Sequence, residues 1–221
     1  SVSVLIFLVI MLQPDFGTGI VILISSLCLM FISGTKIKYF SYIGIVGIIG
    51  LTCLIITAPY RLERITAFLD PWSDPLGSGF QGIQSLFAIT PGGLLGHGFN
   101  QSIQKHFFLP EPQNDFIFAI ILEEFGLIGG LFVLFVFYLI FSRCFQISIK
   151  LSNKFLKFLC CGITLTLLIQ VLINTAVVTG LLPVTGITLP LFSYGGSSLL
   201  ITFVSFSIII SASKYIDEEE I

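Results

Sequence analysis

Long, nearly uninterrupted apolar runs are the feature of this sequence that most limits its fold. A helix needs about 20 mainly apolar residues to cross the roughly 30 Å of hydrocarbon in a bilayer. Since 55% of the 221 residues are hydrophobic and only 10% are charged, the chain has too little polar surface for a soluble globule. We therefore predict an all-α fold, a polytopic membrane helix bundle with six spans. The predicted spans are residues 1–12, 16–34, 39–58, 116–141, 155–182 and 197–215.

The start of the chain shows none of the features of a secretory signal peptide. It has no initiator Met, no basic region and no small-residue cleavage site around the first apolar run. We interpret residues 1–12 as a span whose beginning is missing. The chain is then expected to be the C-terminal portion of a larger membrane protein.

Cysteine spacing and net charge indicate neither a metal centre nor a nucleic-acid partner. The five cysteines show no metal-like CxxC spacing, and four of them lie inside apolar runs as expected for small buried side chains. The net charge of −2 carries no indication of nucleic-acid binding. We predict no metal site built from protein side chains and no nucleic-acid partner.

The basic residues predict the orientation of the spans, because cytoplasmic loops of membrane proteins carry an excess of Lys and Arg. Seven of the ten basic residues fall in three segments that we place in the cytoplasm: Lys36, Lys38, Arg143, Lys150, Lys154, Lys157 and Lys214. The resulting arrangement has three spans in 1–58, an extracytoplasmic loop at 59–114, three spans in 115–215 and a cytoplasmic tail at 216–221. Within the second group of spans, we expect a cytoplasmic loop at 142–157 and an outer loop at 183–196.

The long outer loop at 59–114 carries too many aromatic residues for a disordered linker. Apolar residues recur at helical spacing in residues 79–89, which predicts a short amphipathic helix at the bilayer surface or the mouth of the bundle. The glycine-rich stretch PGGLLGHG follows at 91–98. Such a stretch serves tight turns or allows the backbone to approach a ligand closely, and the sequence leaves both interpretations open.

Polar side chains at or near membrane depth are costly there, so they are candidates for function. They are Asp15 at an outer corner, Glu123 and Glu124 about two turns along the helix from Asp115, and the stripe Thr166, Gln170 and Asn174. The members of the stripe are four residues apart and share one helix face. For this stripe, hydrogen bonding between helices is the structural alternative to a functional role.

The ionisable groups that lie within or border the spans gather on the outer side. A transporter or flippase requires polar groups along a path through the whole membrane. The observed asymmetry favours a cavity open to the outer leaflet instead. Such a cavity suits an amphiphilic substrate whose lipid tail stays in the bilayer while its headgroup enters the polar mouth.

Asp115 stands where a proline-containing polar segment meets an apolar helix. This pattern is typical of a helix start, with Asp115 as the N-cap or a first-turn residue. A general base is also compatible with the position, because the helix dipole favours the ionised carboxylate. Glu111, Glu123 or Glu124 nearby would raise the pKa of Asp115. Both roles remain open on the sequence alone, and they can coexist.

Five motifs, in this order, resemble the SEDS family (shape, elongation, division and sporulation), especially its FtsW and SpoVE branch. They are QPDFGT at 13–18, DPWSDPLGSGFQGIQSL at 70–86, QKHFFLPEPQNDFIFAIILEEFG at 104–126, GLLPVTGITLP at 180–190 and SYGGSS at 193–198. The resemblance implies ten spans in the complete protein, of which these six would be the last. It also implies a multi-pass protein of the bacterial plasma membrane with a cytoplasmic C-terminus.

The resemblance further implies an enzyme, a peptidoglycan glycosyltransferase. Members of the family polymerise lipid II into glycan strands at the outer face of the plasma membrane, together with a class B penicillin-binding protein. Their essential Asp corresponds to Asp115, and the acid of the first motif corresponds to Asp15. Many relatives have His-Thr where this chain has Gln113 and Asn114, which weakens any scheme in which a neighbouring His assists Asp115.

Residue chemistry and resemblance together predict an inverting displacement. Asp115 would accept the proton of the acceptor's 4-hydroxyl as that oxygen attacks the anomeric carbon of the donor, as the base of an inverting glycosidase does for water. Basic side chains, or Mg²⁺ or Mn²⁺ bound with the substrate pyrophosphate, would stabilise the leaving group. The predicted substrate-binding residues are Asp15, Arg61, Arg64, Lys105, Glu111, Glu123, Gln170, Asn174, Ser193 and Ser197.

Two alternatives to the enzyme are a flippase for a lipid-linked precursor and a non-catalytic scaffold for the penicillin-binding protein. The outer-sided polar pattern argues against the flippase. A scaffold would tolerate neutral isosteres at its acidic positions. We expect lipid II, the lipid-linked glycan strand and membrane lipids as binding partners, and we expect the penicillin-binding protein to contact a bulky surface that includes Phe135 or Phe137.

Overall fold

All regular secondary structure in the described part of the chain is helical. The computed structural model describes residues 6–7, 9–10, 15–42, 44, 47, 50, 59–107 and 109–217. The helices are α1 (Phe16–Ile32), α2 (Pro59–Leu69), α3 (Phe80–Gly92), α4 (Gln104–Phe107), α5 (Ile117–Lys150), α6 (Lys154–Val178) and α7 (Gly196–Asp217), with a 3-10 turn at Pro71–Ser73. The predicted spans at 1–12 and 39–58 fall largely outside the described residues.

Three of the described helices are long and apolar enough to cross a membrane: α5, α6 and residues Gly196–Ile216 of α7. They match the predicted spans at 116–141, 155–182 and 197–215. The described part of the chain is therefore all-helical, and its long apolar helices are those of a membrane protein. The largest difference is at the end of α5, which continues to Lys150, because a helix need not end where it leaves the hydrocarbon and meets charged residues.

The core is arranged around α6, which packs between α5 on one side and α1 on the other. Phe118 of α5 belongs to the same buried cluster as Leu167 and Val171 of α6. On the opposite side, Val21 of α1 belongs to a cluster with Ile169 of α6. The segment between α6 and α7 contributes to both clusters, through Leu189 and Ile187 respectively. This outer segment is thus packed into the end of the bundle.

The predicted amphipathic helix in the long loop is present as α3, which packs on α5. Ile83 and Ala88 are buried, whereas Leu86 and Phe87 are partly exposed. Phe87 makes an edge contact with Trp72 at 5.9 Å between ring centroids. The buried face also carries Ser85, whose hydroxyl donates to Val178 O of α6 at 2.8 Å. The loop is therefore anchored to both long helices.

Helix α5 is interrupted at Gly126, whose φ of 65° and ψ of −167° are not helical. In an uninterrupted helix, the carbonyls of residues 123 and 124 pair with the N–H groups of residues 127 and 128. Here each of these four groups pairs with the glycine-rich loop. The bonds are His97 N to Glu123 O (3.0 Å), Gly98 N to Glu124 O (2.9 Å), Leu127 N to Gly93 O (2.9 Å) and Ile128 N to Leu94 O (3.2 Å). Irregular backbone within a spanning helix is tolerated when protein satisfies its polar groups in this way.

The glycines of this contact allow the two backbones to approach closely. A Cβ atom at Gly92 would clash with Leu122 O, and one at Gly96 would clash with Glu124 O. Gly96 also has a φ of 76°, which disfavours any residue with a side chain. The turns expected for this stretch are therefore present, and the close backbone approach that the structure shows is to α5, whereas approach to a ligand stays a prediction.

Candidate active site

Asp115 lies in the turn that precedes α5, with its side chain about half buried. The N-cap residue of α5 is Phe116, and no side chain caps the helix. The expectation that Asp115 caps α5 is therefore wrong. Within the described residues, the carboxylate has no hydrogen-bond or ion-pair partner among the polar contacts of the fold. Its position needs another explanation than helix capping.

Three consecutive backbone carbonyls, those of residues 113, 114 and 115, are bound by groups from the other end of the chain. We call these three hydrogen bonds the carbonyl clamp. They run from Tyr194 N to Gln113 O (2.8 Å), from Ser193 Oγ to Asn114 O (2.6 Å) and from Asn174 Nδ2 to Asp115 O (2.7 Å). The clamp fixes the backbone that carries Asp115 against α6 and the outer segment between α6 and α7.

Both side chains of the clamp also hold the outer segment itself. Asn174 Nδ2 makes a second bond to Ile187 O at 2.7 Å, and Ser193 Oγ accepts a hydrogen bond from Leu189 N at 2.7 Å. Asn174 is 1% exposed and Ser193 is 7% exposed. Their donors are thus used within the protein, so both predicted substrate-binding residues have a bonding role in the fold. For Asn174, a member of the stripe, the partners are the turn before α5 and the outer segment rather than another helix.

Two residues near the clamp adopt left-handed backbone conformations, which residues other than glycine rarely adopt. Glu111 has a φ of 51° and Leu191 has a φ of 68°. Such conformations cost about 1–3 kcal/mol each and persist where the surroundings enforce them. Glu111 is held by Asn114, whose backbone N–H donates to Glu111 O at 3.0 Å and whose Nδ2 donates to the Glu111 carboxylate. The turn before Asp115 is therefore a constrained conformation.

Burial, and secondly the negative charge of Glu111, raise the pKa of Asp115 above the ordinary range of an Asp. The predicted contribution of Glu111 to the pKa is confirmed in direction. A carboxylate with a raised pKa is a stronger base once it is ionised. Glu111, which we predicted to bind substrate, is exposed and lies close enough for its charge to raise the pKa of Asp115.

The N-terminus of α1 approaches the same outer segment from the opposite side. Asp15 is exposed and is the N-cap of α1, with Oδ1 accepting from Thr18 N at 3.0 Å. A Cβ atom at Gly17 would lie 2.6 Å from Thr185 O, and one at Gly186 would lie 3.6 Å from Asp115 Oδ2. Residues 185–187 thus lie between the start of α1 and Asp115, and the two predicted acidic residues flank one short segment.

The predicted basic residues lie in different places. Arg64 is exposed, and its guanidinium donates to Val184 O at 3.3 Å, which links α2 to the outer segment. Lys105 donates to Asn100 Oδ1 at 3.0 Å and lies 3.9 Å from Glu124 Oε1. The Arg61 side chain falls outside the described part of the chain. Of the predicted basic residues whose side chains are described, Arg64 is therefore the one that bonds to the outer segment near Asp115.

Glu123 was predicted to bind substrate, but its carboxylate is 1% exposed and anchors the long loop. It accepts hydrogen bonds from Ser102 Oγ (2.5 Å), Ile103 N (2.8 Å) and Gln104 N (3.3 Å). These donors lie at the start of α4, where unpaired N–H groups attract a carboxylate. The burial of Glu123 follows from this anchoring, which gives the carboxylate a bonding role inside the protein. Its role in substrate binding stays a prediction.

Two cavities lie beside the clamp. One, of about 740 Å³, is bounded by α1, α6 and α7 and brings Gln170 and Ser197 together with many hydroxyl groups. The hydroxyl residues are Thr18, Thr166, Thr188, Ser198, Thr202 and Ser205. The second, of about 490 Å³, is mostly apolar, extends from Gln113 in the turn before α5 along that helix to Val133, and has Lys105 and Glu124 in its wall. Asp115 itself lines neither of these two cavities.

Several buried polar atoms around the clamp have no hydrogen-bond partner among the described residues. They are Asn114 Oδ1, Asn174 Oδ1 and Thr185 Oγ1. Buried polar atoms are normally paired, so a cluster of unpaired ones beside a constrained carboxylate is typical of a site that receives a polar ligand or water. Asn114 and Thr185 were not among the predicted site residues, although both lie in quoted motifs.

No group of three or more His, Cys, Asp or Glu residues in the described part of the chain could hold a metal ion. The acidic residues near the clamp are Asp115 and Glu111. One or two carboxylates fit a Mg²⁺ ion only when phosphates or water supply most of its ligands.

The two residues of α5 that were expected on the partner surface differ in burial. Phe135 is 54% exposed, whereas Phe137 is 3% exposed and stacks on Phe141 at 5.7 Å between ring centroids. Phe137 is part of the core of this chain. Of the two residues expected on the partner surface, only Phe135 is accessible.

Known proteins align with most of the length of this chain. The chain is 50% identical over 209 residues to "Stage V sporulation protein E" from Bacillus subtilis (strain 168), covering 95% of this chain and 57% of the relative. It is 48% identical over 206 residues to "Probable peptidoglycan glycosyltransferase FtsW" from Buchnera aphidicola subsp. Baizongia pistaciae, covering 92% of this chain and 54% of the relative. The chain thus spans somewhat more than half the length of these relatives.

A solved structure shares the fold. It was described under "Structural coordination of polymerization and crosslinking by a peptidoglycan synthase complex" and has a TM-score of 0.74 at 31% sequence identity. The match covers 97% of this chain and 60% of the other. A sequence profile of the family described as "Cell cycle protein" (FTSW_RODA_SPOVE) matches residues 1–218. The SEDS resemblance predicted from the motifs is confirmed: the chain belongs to the FtsW, RodA and SpoVE family.

Proposed function

We propose that this chain carries the catalytic carboxylate of a peptidoglycan glycosyltransferase, which polymerises lipid II into β-1,4 glycan strands at the outer face of the bacterial plasma membrane. The observation that carries the proposal is Asp115. Its carboxylate does not cap α5, its backbone is held by the carbonyl clamp, and its pKa is raised by burial. Relatives named as peptidoglycan glycosyltransferases support the reaction class.

In the proposed reaction, the sugar donor is α-linked to pyrophosphate and the new bond is β, so one displacement inverts the anomeric carbon. The 4-hydroxyl oxygen of the acceptor attacks this carbon while the bond to the pyrophosphate oxygen breaks. Asp115 accepts the hydroxyl proton, which makes the attacking oxygen a stronger nucleophile. The raised pKa favours proton transfer from the hydroxyl, and the constrained turn keeps the carboxylate in position.

The pyrophosphate is a good leaving group once its charge is stabilised. Arg64, Arg61 and Lys105 are the candidate cations, and Arg64 is attached to the outer segment beside Asp115. We propose that Mg²⁺ or Mn²⁺ enters with the substrate, bound through the phosphates and at most one or two carboxylates. The remaining candidate binding residues are Asp15, beside residues 185–187, and Gln170 and Ser197 in the larger cavity.

The topology proposed with this function has six spans, the last six of ten, and a cytoplasmic C-terminus. Residues 59–114 and 183–196 are then extracytoplasmic, residues 142–157 join two spans in the cytoplasm, and residues 216–221 form the tail. Three described helices of membrane-spanning length support this arrangement. The length of the relatives supports a longer complete protein. The solved synthase complex supports a penicillin-binding protein as partner, with Phe135 on the accessible surface of α5.

The first prediction compares two Asp→Asn variants of the full-length protein, purified with its partner and given labelled lipid II. Asp115→Asn removes the proton acceptor and should lower polymerisation by roughly 10²–10⁴-fold, the usual contribution of a general base. Asp70→Asn is the matched control, because Asp70 is an exposed carboxylate at a 3-10 turn and makes no side-chain capping bond. It should retain the rate of the unchanged protein.

Polymer formation by a folded Asp115→Asn variant at the normal rate would refute the role of Asp115. If the unchanged complex makes no polymer with any divalent cation, the glycosyltransferase proposal is wrong. A flippase would then be recognised by movement of lipid II across vesicle membranes. A scaffold would be recognised if it raised the activity of the penicillin-binding protein without polymerising lipid II itself.

A further inference from the structure

We propose that Ser193 and Asn174 are positioning residues that hold Asp115 in its reactive geometry through the backbone of residues 113–115. This inference rests on the proposed role of Asp115 as the base. It assigns the two side chains to the carboxylate rather than to the substrate. The predicted consequence is a loss of rate when the clamp is weakened, without loss of substrate affinity.

The clamp acts where the ordinary helical bonds of α5 are absent. The first carbonyl bonded by the helix is Phe116 O, which accepts from Ala119 N and Ile120 N at 2.9 and 3.3 Å. The carbonyls of residues 113–115 precede this point, so the bonding ladder of α5 does not restrain them. Their partners in the described structure are the three groups of the clamp. The direction of the Asp115 side chain therefore depends on bonds from α6 and the outer segment.

Ser193 is the sharper of the two to test because its hydroxyl serves two partners. It donates to Asn114 O at 2.6 Å and accepts from Leu189 N at 2.7 Å. Removing the hydroxyl leaves both backbone groups without this partner in a buried place, and the turn that carries Asp115 loses its middle restraint. A base must lie within hydrogen-bonding reach of the hydroxyl it deprotonates, and an error of about 1 Å can cost roughly 10²-fold in rate.

Asn174 contributes from a different helix. Both hydrogens of its amide are used, one on Asp115 O and one on Ile187 O, each at 2.7 Å. It therefore joins the turn before α5 to the segment that faces Asp115 Oδ2 at Gly186. The same amide thus fixes the distance between the Asp115 carboxylate and the outer segment at Gly186. Its Oδ1 is buried and has no hydrogen-bond partner among the described residues.

The test uses Ser193→Ala, Ser193→Thr and a buried control, Ser148→Ala, in the full-length complex. Ser148 is 2% exposed, and its hydroxyl bonds within its own helix to Cys144 O at 2.8 Å, far along the chain from the clamp. We expect Ser193→Ala to lower kcat about 10- to 100-fold, with KM changed by less than about twofold. Ser193→Thr keeps the hydroxyl and should restore most of kcat. Ser148→Ala should leave both constants unchanged.

Two further readouts separate positioning from a general loss of structure. Loosening the turn lets water reach Asp115, so the acidic limb of the kcat–pH profile should move to lower pH in Ser193→Ala. In an Asp115→Glu background, where the carboxylate is already displaced by one methylene, Ser193→Ala should lower the rate by less than about threefold, since coupled residues are not additive. Asn174→Asp, which places a carboxylate against two carbonyls, should reproduce the loss of kcat.

The inference is overturned if Ser193→Ala retains the normal kcat and pH profile, if its defect lies in KM alone, or if Ser193→Thr is as defective as Ser193→Ala. A fully additive effect in the Asp115→Glu background would also overturn it. Failure of the underlying function looks different, because Asp115→Asn would then remain active. The two failures are therefore distinguishable in one set of proteins.

Discussion

A half-buried carboxylate that must ionise to act lowers the stability of the fold that holds it. The raised pKa of Asp115 means that the folded state keeps the proton at pH values where the unfolded chain has released it. The free energy of unfolding therefore falls as the pH rises from the ordinary range of an Asp, near 4, through the raised pKa. A carboxylate that is ion-paired or hydrogen-bonded in its charged form has a lowered pKa, so its contribution to the free energy of unfolding rises with pH instead. This cost at Asp115 is consistent with a position retained for chemistry.

The pH dependence of the reaction should respond to the neighbour of Asp115. Glu111→Gln keeps an oxygen that can accept from Asn114 but removes the negative charge that raises the pKa of Asp115. The pKa should fall, so the acidic limb of the kcat–pH profile should move to lower pH. The shift should be only partial, because burial is the larger cause. Rates of glycan polymerisation measured in a pH series would show it, and an unmoved limb would separate Glu111 from the base.

Single residues were identified from the sequence more reliably than their partners. Asn174 and Glu123 were recognised as polar groups at membrane depth, and Ser193 as a residue of the last motif. Asn174 and Ser193 bond to carbonyls 59 and 79 residues away, and Glu123 bonds to a loop 19 to 21 residues away. No local pattern encodes such pairs. The cost of a polar group at membrane depth predicts that it has a partner, but the fold decides which one.

At the scale of elements, the joint between α5 and the glycine-rich loop is the least regular part of the bundle. Both pieces were visible in the sequence, one as an apolar run and one as a cluster of glycines. Their combination was not, because the apolar run continues through Gly126 and gives no sign of the break. The break becomes evident only when the four backbone bonds to residues 93–98 are known.

Substitution within this joint should be severe compared with a glycine elsewhere. Gly96→Ala meets Glu124 O and requires a positive φ, so it should destabilise the protein by about 1–3 kcal/mol from the backbone conformation alone. Gly82→Ala is the control, since Gly82 is helical and has open space around the position of a Cβ atom. It should be neutral or slightly stabilising. Thermal unfolding in detergent measures both, and equal midpoints would contradict the joint as described.

At the scale of the whole molecule, the bundle class and three long helices were predictable because apolar length leaves few alternatives. The outer end was less predictable, since it is built from segments that are neither long nor periodic. The motif residues at 183–190 illustrate this, as Leu189 and Ile187 pack into two separate clusters. Composition places such residues at a membrane surface, while packing decides that they close the bundle.

Orientation is the property of the whole molecule that the basic residues predict most directly. Gln101 and Ser152 are both exposed and lie on opposite predicted sides. In intact cells, a cysteine introduced by Gln101→Cys should react with an impermeant thiol reagent, and one introduced by Ser152→Cys should not. The unchanged protein is the control for its own cysteines, of which Cys144, Cys160 and Cys161 are buried. The reverse labelling would place Asp115 in the cytoplasm and exclude the proposed reaction.

The interruption of α5 also has a consequence for how the protein enters the membrane. During synthesis, residues 93–98 leave the ribosome before residues 123–128, whose free backbone groups they satisfy. Without the loop, the interrupted conformation would leave these N–H and C=O groups unpaired in lipid, at several kcal/mol each, whereas a regular helix would pair them internally. We therefore expect the interruption of α5 to form together with its contact to the loop, and the isolated hydrophobic segment to be a continuous helix.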